Sequence, residues 1–464
     1  MERKNYEIAV IGAGPGGYVA AIKAASLGKT VCIIEKGNVG GTCLNVGCIP
    51  TKTLLANAEL KHKLDRAADY GIDVGSVTVH YDKMKARKDN VVAKLRKGVE
   101  GLLTANRIAY FHGHAEFISP TELKVQGKES VLITAQNTII ATGSEPLDIP
   151  SFPCDHKRVF HSSSILERTT LPKSIAIIGG GYIGCEFASL FSALGVSVTI
   201  LEALPSIVIA QGQSVSDALS LAFKKRGVIV ETGVTVEDVV SKENGVEVRV
   251  KGRESLHVDI VLVAVGRKVV SEGMQLEKAG VIRDAKGAIV VNDKMETNVP
   301  GIYAIGDVTG KVLLAHVASH QGIVAAMNAS GGNASMQYNA VPAVIFTSPE
   351  IATVGFTLEQ AKEQGWDAKI GKFPFQALGK SIATMETEGF AQIVVDRKTD
   401  QILGAQVVGH DASTLIAEIT LAIHNELTLE SIIDTIHAHP TVAESWLEAA
   451  LIANDTPIHF PPKR

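Results

Sequence analysis

Two short apolar runs, far apart in the chain, each break into a glycine cluster and resume as an apolar, helix-periodic stretch. Residues 7–11 lead into Gly12-Ala13-Gly14-Pro15-Gly16-Gly17, a helix runs to about Leu27, and Thr30 to Ile34 forms a second strand ending at Glu35. The rhythm repeats from Ser174–Ile178 through Gly179-Gly180-Gly181-Tyr182-Ile183-Gly184, a helix over Cys185–Leu194 and a strand over Val196–Leu201, closed by Glu202. This is the pattern of a dinucleotide cradle. Gly12 (Gly179 in the repeat) makes the tight turn, Gly14 (Gly181) lets a pyrophosphate approach the backbone, and Gly17 (Gly184) lets helix and strand pack closely. The helix N-terminus then faces the phosphate charge. Glu35 or Glu202 at the strand end accepts from a ribose hydroxyl. Two such units imply two dinucleotides. Glu202 would repel the 2′-phosphate of NADP, and Ala203-Leu204-Pro205 after it brings no arginine, so the second unit points to NAD.

Between the repeats, helical periodicity covers about Thr53–Lys63 and Tyr81–Thr104, with short strands at Ala109–Phe111, Glu122–Val125 and Ser130–Thr134. The run from Asn137 to Gly143 is a further apolar strand meeting a turn, and Pro146, Pro150 and Pro153 mark a linker. Asp259–Val265 is the last strand of the second unit. The stretch Glu296–Asp307 returns as strand plus acid-bearing turn, followed by a helix over about His316–Asn328. From Val341 strands at Ala343–Thr347, Ala352–Gly355, Phe390–Asp396 and Ile402–Val408 mix with helices at Thr357–Gln364, Ala412–Asn425 and Glu444–Asn454, without a glycine fingerprint. That segment reads as an α+β domain serving association. The expected fold class is α/β, with two Rossmann-like dinucleotide-binding domains and a C-terminal α+β domain. The expected boundaries are 1–148, 149–269, a central segment 270–340 completing the first domain, and 341–464.

Composition narrows the class. At 46% hydrophobic and 20% charged, the 464 residues are those of a soluble globular chain with a sizeable core. A net charge of −4 makes no electrostatic case for nucleic acid or an anionic membrane. The apolar stretch Ser174–Leu201 has the β-α-β rhythm of a buried parallel unit rather than of a membrane span. Five scattered cysteines form no disulfide scaffold, which favours a reducing compartment, and the strand signal near Met1 leaves no room for a leader, so the expected location is the cytoplasm.

The candidate chemistry lies just after the first cradle, in Gly41-Thr42-Cys43-Leu44-Asn45-Val46-Gly47-Cys48-Ile49-Pro50-Thr51-Lys52. In a regular helix positions i and i+5 lie roughly 8.6 Å apart, beyond the ~7 Å Cα separation a disulfide tolerates. Cys43 and Cys48 can pair only across a distorted turn, which Gly47 could absorb. A strained, accessible pair suits catalysis better than structure. Spacing alone leaves two buried free cysteines equally open. Near the C-terminus, His439 precedes a proline that holds it extended, and Glu444 at the start of the next helix can reach back to its imidazole. Both histidines of His437-Ala438-His439 also fit ordinary loop residues. Asp307, at a strand end, is placed for a ribitol hydroxyl or for a simple turn.

Taken together, these motifs resemble the pyridine nucleotide–disulfide oxidoreductases, over almost the whole chain. The quoted cysteine motif, Ala141-Thr142-Gly143, Tyr303-Ala304-Ile305-Gly306-Asp307 and His437-Ala438-His439-Pro440-Thr441 carry the likeness. It implies FAD at the first fingerprint, NAD at the second and a homodimer through the C-terminal domain. The implied reaction is oxidation of protein-bound dihydrolipoamide to lipoamide with reduction of NAD+, through a redox disulfide Cys43–Cys48. The implied partner is the lipoyl-bearing acyltransferase of a 2-oxoacid dehydrogenase complex, or a glycine-cleavage lipoyl protein. In that scheme His439, oriented by Glu444 and supplied by the second subunit, takes the thiol proton. Cys43 is the interchange thiol and Cys48 faces the flavin. Lys52 stands beside the flavin with Glu186 as its ion-pair partner, and Tyr182 gates the nicotinamide pocket. Ala115, Thr142, Gly143, Gly266 and Ala315 join the cofactor contacts; no metal is expected. Two departures stand out. Gly266-Arg267-Lys268-Val269 lacks the usual proline, and Ser319-His320-Gln321 replaces an acidic pair. Cys154 and Cys185 are read as structural. The rival readings are an NADPH-dependent disulfide reductase of the glutathione reductase type, against which Glu202 speaks, and a non-catalytic nucleotide-binding redox sensor, which would need none of Cys43, Cys48, His439 and Glu444.

Overall fold

The computed structural model describes residues 1–128 and 130–462. Its first sheet has seven strands. Ala109–His112, Val31–Glu35, Glu2–Ile11, Val131–Ile140, Glu122–Gln126 and His114–Ser119 lie side by side, and Ile302–Ala304 pairs with Val131–Ile140. The last of these comes from far along the chain, with Tyr303 opposite Ile139. The predicted strand at 7–11 extends back to Glu2, because its polar half pairs with Val131–Ala135 without being buried. The separate strands predicted at Ser130–Thr134 and from Asn137 are one. The burial of Val131–Ile140 alternates over its first half, where one face is open, and becomes continuous where both faces are covered.

Helices Pro15–Ser26 and Ala315–Ala329 pack against each other backbone to backbone. A Cβ at Gly16 would lie 2.9 Å from the Ala318 carbonyl oxygen, and one at Gly322 would lie 2.5 Å from that of Gly16. The second sheet is wholly parallel, in the order Ile229–Glu231, Ser197–Leu201, Ser174–Ile178, Ile260–Val263, Val159–His161. An antiparallel meander, Val236–Lys242, Gly245–Val250 and Leu256–Val258, and a helix Gln213–Lys225 belong to the same stretch of chain and were not predicted. The stretch expected as a plain linker begins with a strand: Ser144–Pro146 pairs antiparallel with Arg267–Val269, so the chain's exit toward the second sheet and its return clasp each other. The stretch that resembled a membrane span is strand, helix, strand, and no helix among the described residues is long and apolar enough to cross a membrane.

The C-terminal sheet is antiparallel, in the order Ala343–Ile345, Ile351–Gly355, Ile402–Val408, Phe390–Asp396, Ala368–Pro374. Its two strands Phe390–Asp396 and Ile402–Val408 are buried at every position. Helices Ala412–His424 and Glu444–Ala453 share one core beneath it, where the buried Trp446 donates its indole N–H to the Leu415 carbonyl at 3.0 Å. Gly371 marks the closest approach: a Cβ there would meet the Ala449 carbonyl oxygen at 2.0 Å and the Ala453 nitrogen at 2.6 Å. Gly371→Ala should therefore push the Glu444–Ala453 helix off the sheet and cost about 1–3 kcal/mol, measured by urea unfolding. An unchanged midpoint would show that the helix yields freely.

Candidate functional site

The cysteine turn is pressed onto the first glycine loop. Gly40 and Gly41 have φ of +94° and +58°, and a Cβ at Gly41 would lie 2.6 Å from Gly14 Cα. The Gly40 amide donates to the Ala13 carbonyl at 2.7 Å. Asn45 locks the turn, donating to the carbonyls of Val39 (3.0 Å) and Gly41 (2.9 Å) while accepting from Arg96 Nε at 2.9 Å. The helix Gly41–Val46 stops and a new one, Cys48–Asp65, begins after Gly47. This second helix starts before the predicted Thr53; Cys48 through Lys52 carry too little apolar periodicity for the sequence to signal that first turn. The break is where the distortion was anticipated: a Cβ at Gly47 would come 3.0 Å from the Thr42 carbonyl oxygen. Both cysteines are half-buried. Cys48 is the first residue of its helix, where the amide dipoles favour a thiolate.

One turn further on, Lys52 Nζ lies 2.8 Å and 2.7 Å from the two oxygens of Glu186. It also stands 4.7 Å from the centre of the Phe346 ring. Glu186, buried on the helix Tyr182–Ala193, accepts the Phe346 amide at 2.9 Å as well. The pair joins the cysteine helix to the second nucleotide unit.

The two glycine loops have matching geometry. Gly12 and Gly179 have φ of +99° and +106°, and a Cβ on either would collide with the carbonyl of Ala141 (2.4 Å) or Ala264 (2.5 Å). A Cβ at Gly17 or Gly184 would lie 1.9 Å or 2.0 Å from the carbonyl oxygen of the loop's first glycine. The middle glycines differ: Gly181 has nothing within 4 Å, and Gly14 only Gly41 Cα at 3.9 Å. Each is the N-cap of a helix that carries no side-chain cap. Uncapped amides at an open approach suit a pyrophosphate. Glu35 accepts from the amides of Ala13 (2.8 Å) and Gly37 (2.7 Å), and Glu202 from those of Gly180 (2.5 Å) and Leu204 (2.7 Å). Both carboxylates are thus fixed over their loops, with lone pairs left for a hydroxyl.

Several of the remaining candidates lie at the clasp between the two units. Thr142 Oγ1 donates to the Val270 carbonyl at 2.5 Å, and Gly143 and Gly266 turn with φ of +72° and +139°. Asp307 accepts from Ser144 Oγ, which in turn accepts from Arg267 Nε at 2.7 Å. Ser144 and Arg267 were not anticipated in this role; they lie far apart in sequence and no local signal joins them to Asp307. Ala115 is buried in the strand His114–Ser119, which was also missed, two residues after the Gly113 amide binds the Glu35 carbonyl at 2.9 Å. Ala315 opens its helix beside Pro15–Ser26, and Tyr182 stands half-exposed at the first turn of Tyr182–Ala193.

His439 and Glu444 meet as expected, Nδ1 to Oε1 at 2.8 Å, with the Thr441 amide donating to Glu444 Oε2 at 2.9 Å. Burial works against ionisation of Glu444, but the Thr441 amide and His439 outweigh it and hold its carboxyl below the usual range. Among the described residues, no hydrogen bond links this pair to the cysteine turn of the same chain.

The chain matches the family described as pyridine nucleotide-disulphide oxidoreductase over residues 6–322 and that family's dimerisation domain over residues 341–450. It belongs to the pyridine nucleotide-disulphide oxidoreductases. It is 49% identical to a dihydrolipoyl dehydrogenase of Chlamydia pneumoniae, over 99% of both chains. It is 42% identical to one of Geobacillus stearothermophilus, over 98% of this chain and 97% of the relative. Among solved structures, LpdA of Mycobacterium tuberculosis matches with a TM-score of 0.91 at 27% identity, covering 97% and 99%. The HOCl-induced flavoprotein disulfide reductase RclA of Escherichia coli matches at 0.85 and 30%, covering 96% and 99%. Membership of the family implies FAD and a nicotinamide dinucleotide, and the dimerisation domain supports a homodimer.

The departures from the pyridine nucleotide-disulphide oxidoreductase pattern have local explanations. Gln321 is fully buried, accepts the Gly306 amide at 2.6 Å and donates to Tyr338 at 2.9 Å, a dual task that suits a neutral amide better than a carboxylate. Arg267–Val269, lacking proline, supplies the ladder to Ser144–Pro146. Cys185 is buried under the second loop, its Sγ 3.3 Å from the Gly180 carbonyl, and Cys154 is pushed up to about 11 by burial. The redox pair is unequal. A hydrogen bond from Cys43, reinforced by Lys52, brings the Cys48 thiol down to about 7 against the cost of its burial. Donating that bond, together with burial, pushes Cys43 far up. The ultraviolet thiolate absorbance of the reduced protein should therefore show one titration near pH 7, absent in Cys48→Ser and moved upward in Lys52→Met. A low titration surviving in Cys48→Ser would reverse the assignment.

Proposed function

We propose that this chain is a dihydrolipoyl dehydrogenase: it oxidises the dihydrolipoyl group of an acyltransferase (or a glycine-cleavage lipoyl protein) and reduces NAD+. The observation that carries the reading is the Cys43–Cys48 turn. It lies against one dinucleotide cradle and is tied by Lys52–Glu186 to a second. Full-length identity of 49% to a dihydrolipoyl dehydrogenase supports the same conclusion.

The residues present fit both cofactors. Gly12, Gly14, Gly17, Glu35, Thr142, Gly143, Asp307, Ala115 and Ala315 would hold FAD, and Gly179, Gly181, Gly184, Glu202, Gly266 and Tyr182 would hold NAD. When bound, FAD supplies the two-electron link between the cysteine pair and the nicotinamide. The chain's own residues handle substrate and protons. His439 of a second copy, oriented by Glu444, takes a thiol proton from the dihydrolipoyl group on its Nε2. The substrate thiolate attacks Cys43 Sγ, the Cys43–Cys48 bond breaks, and Cys48 leaves as a thiolate. The helix N-terminus and Lys52 favour that leaving group. Glu202, fixed by two amides, sets a negative charge where a 2′-phosphate would sit, which favours NAD over NADP. On this reading residues 1–148 with 270–340 form the flavin domain, 149–269 the NAD domain and 341–464 the dimer contact, working in the cytoplasm.

The test is NAD+-linked oxidation of dihydrolipoamide by the FAD-loaded protein. Cys43→Ser and Cys48→Ser should each abolish it while retaining FAD. Glu202→Ser should narrow the preference for NADH over NADPH by roughly tenfold, the loss of about 1.4 kcal/mol of repulsion. Disulfide reduction driven by NADPH alone, with dihydrolipoamide inert, would assign the chain to another reductase instead.

A further inference from the structure

The Glu444–Ala453 helix carries two carboxylates one turn apart, and each holds an imidazole in the same way. Glu444 Oε1 binds His439 Nδ1 at 2.8 Å while its Oε2 accepts the Thr441 amide. Glu448 Oε1 binds His459 Nδ1 at 2.8 Å while its Oε2 accepts the His459 amide at 3.2 Å. The two rings are open alike, 77% and 73% exposed, over carboxylates exposed by 22% and 6%. A carboxylate only accepts, so in both dyads the proton sits on Nδ1 and Nε2 is the free basic nitrogen. Side chains at i and i+4 are neighbours, about 6 Å apart between Cβ atoms, so the two dyads flank one patch of surface. Glu448, and behind it Glu444, raise the proton affinity of His459. Among the described residues, His439 is the other imidazole that acts on Glu444.

A dithiol substrate has two protons to lose. Once His439 has taken the first, its acceptor nitrogen is occupied. Cys43 is then bound in the mixed disulfide, and Cys48 is held as a thiolate by Lys52. We propose that His459 is a second general base of the exchange, taking the proton of the substrate's second thiol as His439 takes that of the first. The proposal rests on the dithiol reading above.

The steps balance. The first thiol gives its proton to His439 and its sulfur bonds to Cys43, breaking the Cys43–Cys48 bond and releasing the Cys48 thiolate. The second thiol gives its proton to His459 and its sulfur bonds to the first, releasing the Cys43 thiolate. The substrate has lost two electrons and two protons; the cysteine pair holds the electrons and the two imidazoles the protons. Cys43, whose thiol is held far above its ordinary range, then recovers one proton.

The experiment compares kcat for NAD+-linked dihydrolipoamide oxidation from about pH 6 to about pH 9 in the FAD-loaded wild type, His459→Gln, Glu448→Gln and His439→Gln. His459→Gln should lower kcat about 100-fold, in the range of general-base removal, and delete one ionisation from the acid limb. Glu448→Gln should keep the ionisation but move it downward. FAD content and Tm serve as the control for folding. A His459→Gln enzyme within twofold of wild type, or one whose losses follow FAD content and Tm with the acid limb unchanged, overturns the second base. A wild type inert toward dihydrolipoamide overturns the dithiol reading itself, and the second base with it.

Discussion

The Lys52–Glu186 ion pair fixes the geometry on which the rest depends. Glu186 is buried, and its two oxygens take the lysine ammonium and the Phe346 amide. Removing one partner of such a buried pair leaves the other uncompensated, on the order of 3–5 kcal/mol. The pair sets the register of the cysteine helix against the second nucleotide unit, and Phe346 brings the C-terminal domain to the same point. The same lysine supplies the positive charge that favours a thiolate at Cys48. One side chain therefore serves both position and electrostatics.

Close approach does the remaining work of assembly. The cysteine turn reaches the first loop because Gly14 and Gly41 lack side chains, and the helices Pro15–Ser26 and Ala315–Ala329 meet through Gly16 and Gly322. These contacts stack the redox turn, the first cradle and the strand Ile302–Ala304 into one unit although their residues are scattered over the chain. The antiparallel clasp of Ser144–Pro146 on Arg267–Val269 makes the insertion of the second unit a closed loop and positions Asp307 through Ser144.

The C-terminal domain presents its histidines outward from a rigid base. Trp446 and the Gly371 contact pin the Glu444–Ala453 helix to its sheet, so the carboxylates at 444 and 448 leave the core at fixed heights and hold their imidazoles in the open. Among the described residues, no hydrogen bond joins His439 to the cysteine turn of the same chain.

Local signals determined a good deal by themselves. The glycine fingerprints, both terminal acids, the break at Gly47 and the His439–Glu444 pairing depend on residues near one another in sequence, whose geometry follows from backbone conformation. The strands Phe390–Asp396 and Ile402–Val408 were legible to the residue because their buried positions are mostly apolar, with only Gln392, Asp396 and Gln406 as buried polar exceptions. The helix start at Cys48 and the strand His114–Ser119 were not, since neither has clear periodicity. Only the tertiary structure decided what lies opposite what: Ser144 and Arg267 on Asp307, Gln321 between Gly306 and Tyr338, and a second imidazole on Glu448. Those partners are chosen by packing across long separations, where a polar side chain finds its hydrogen bond only after the core has brought it there.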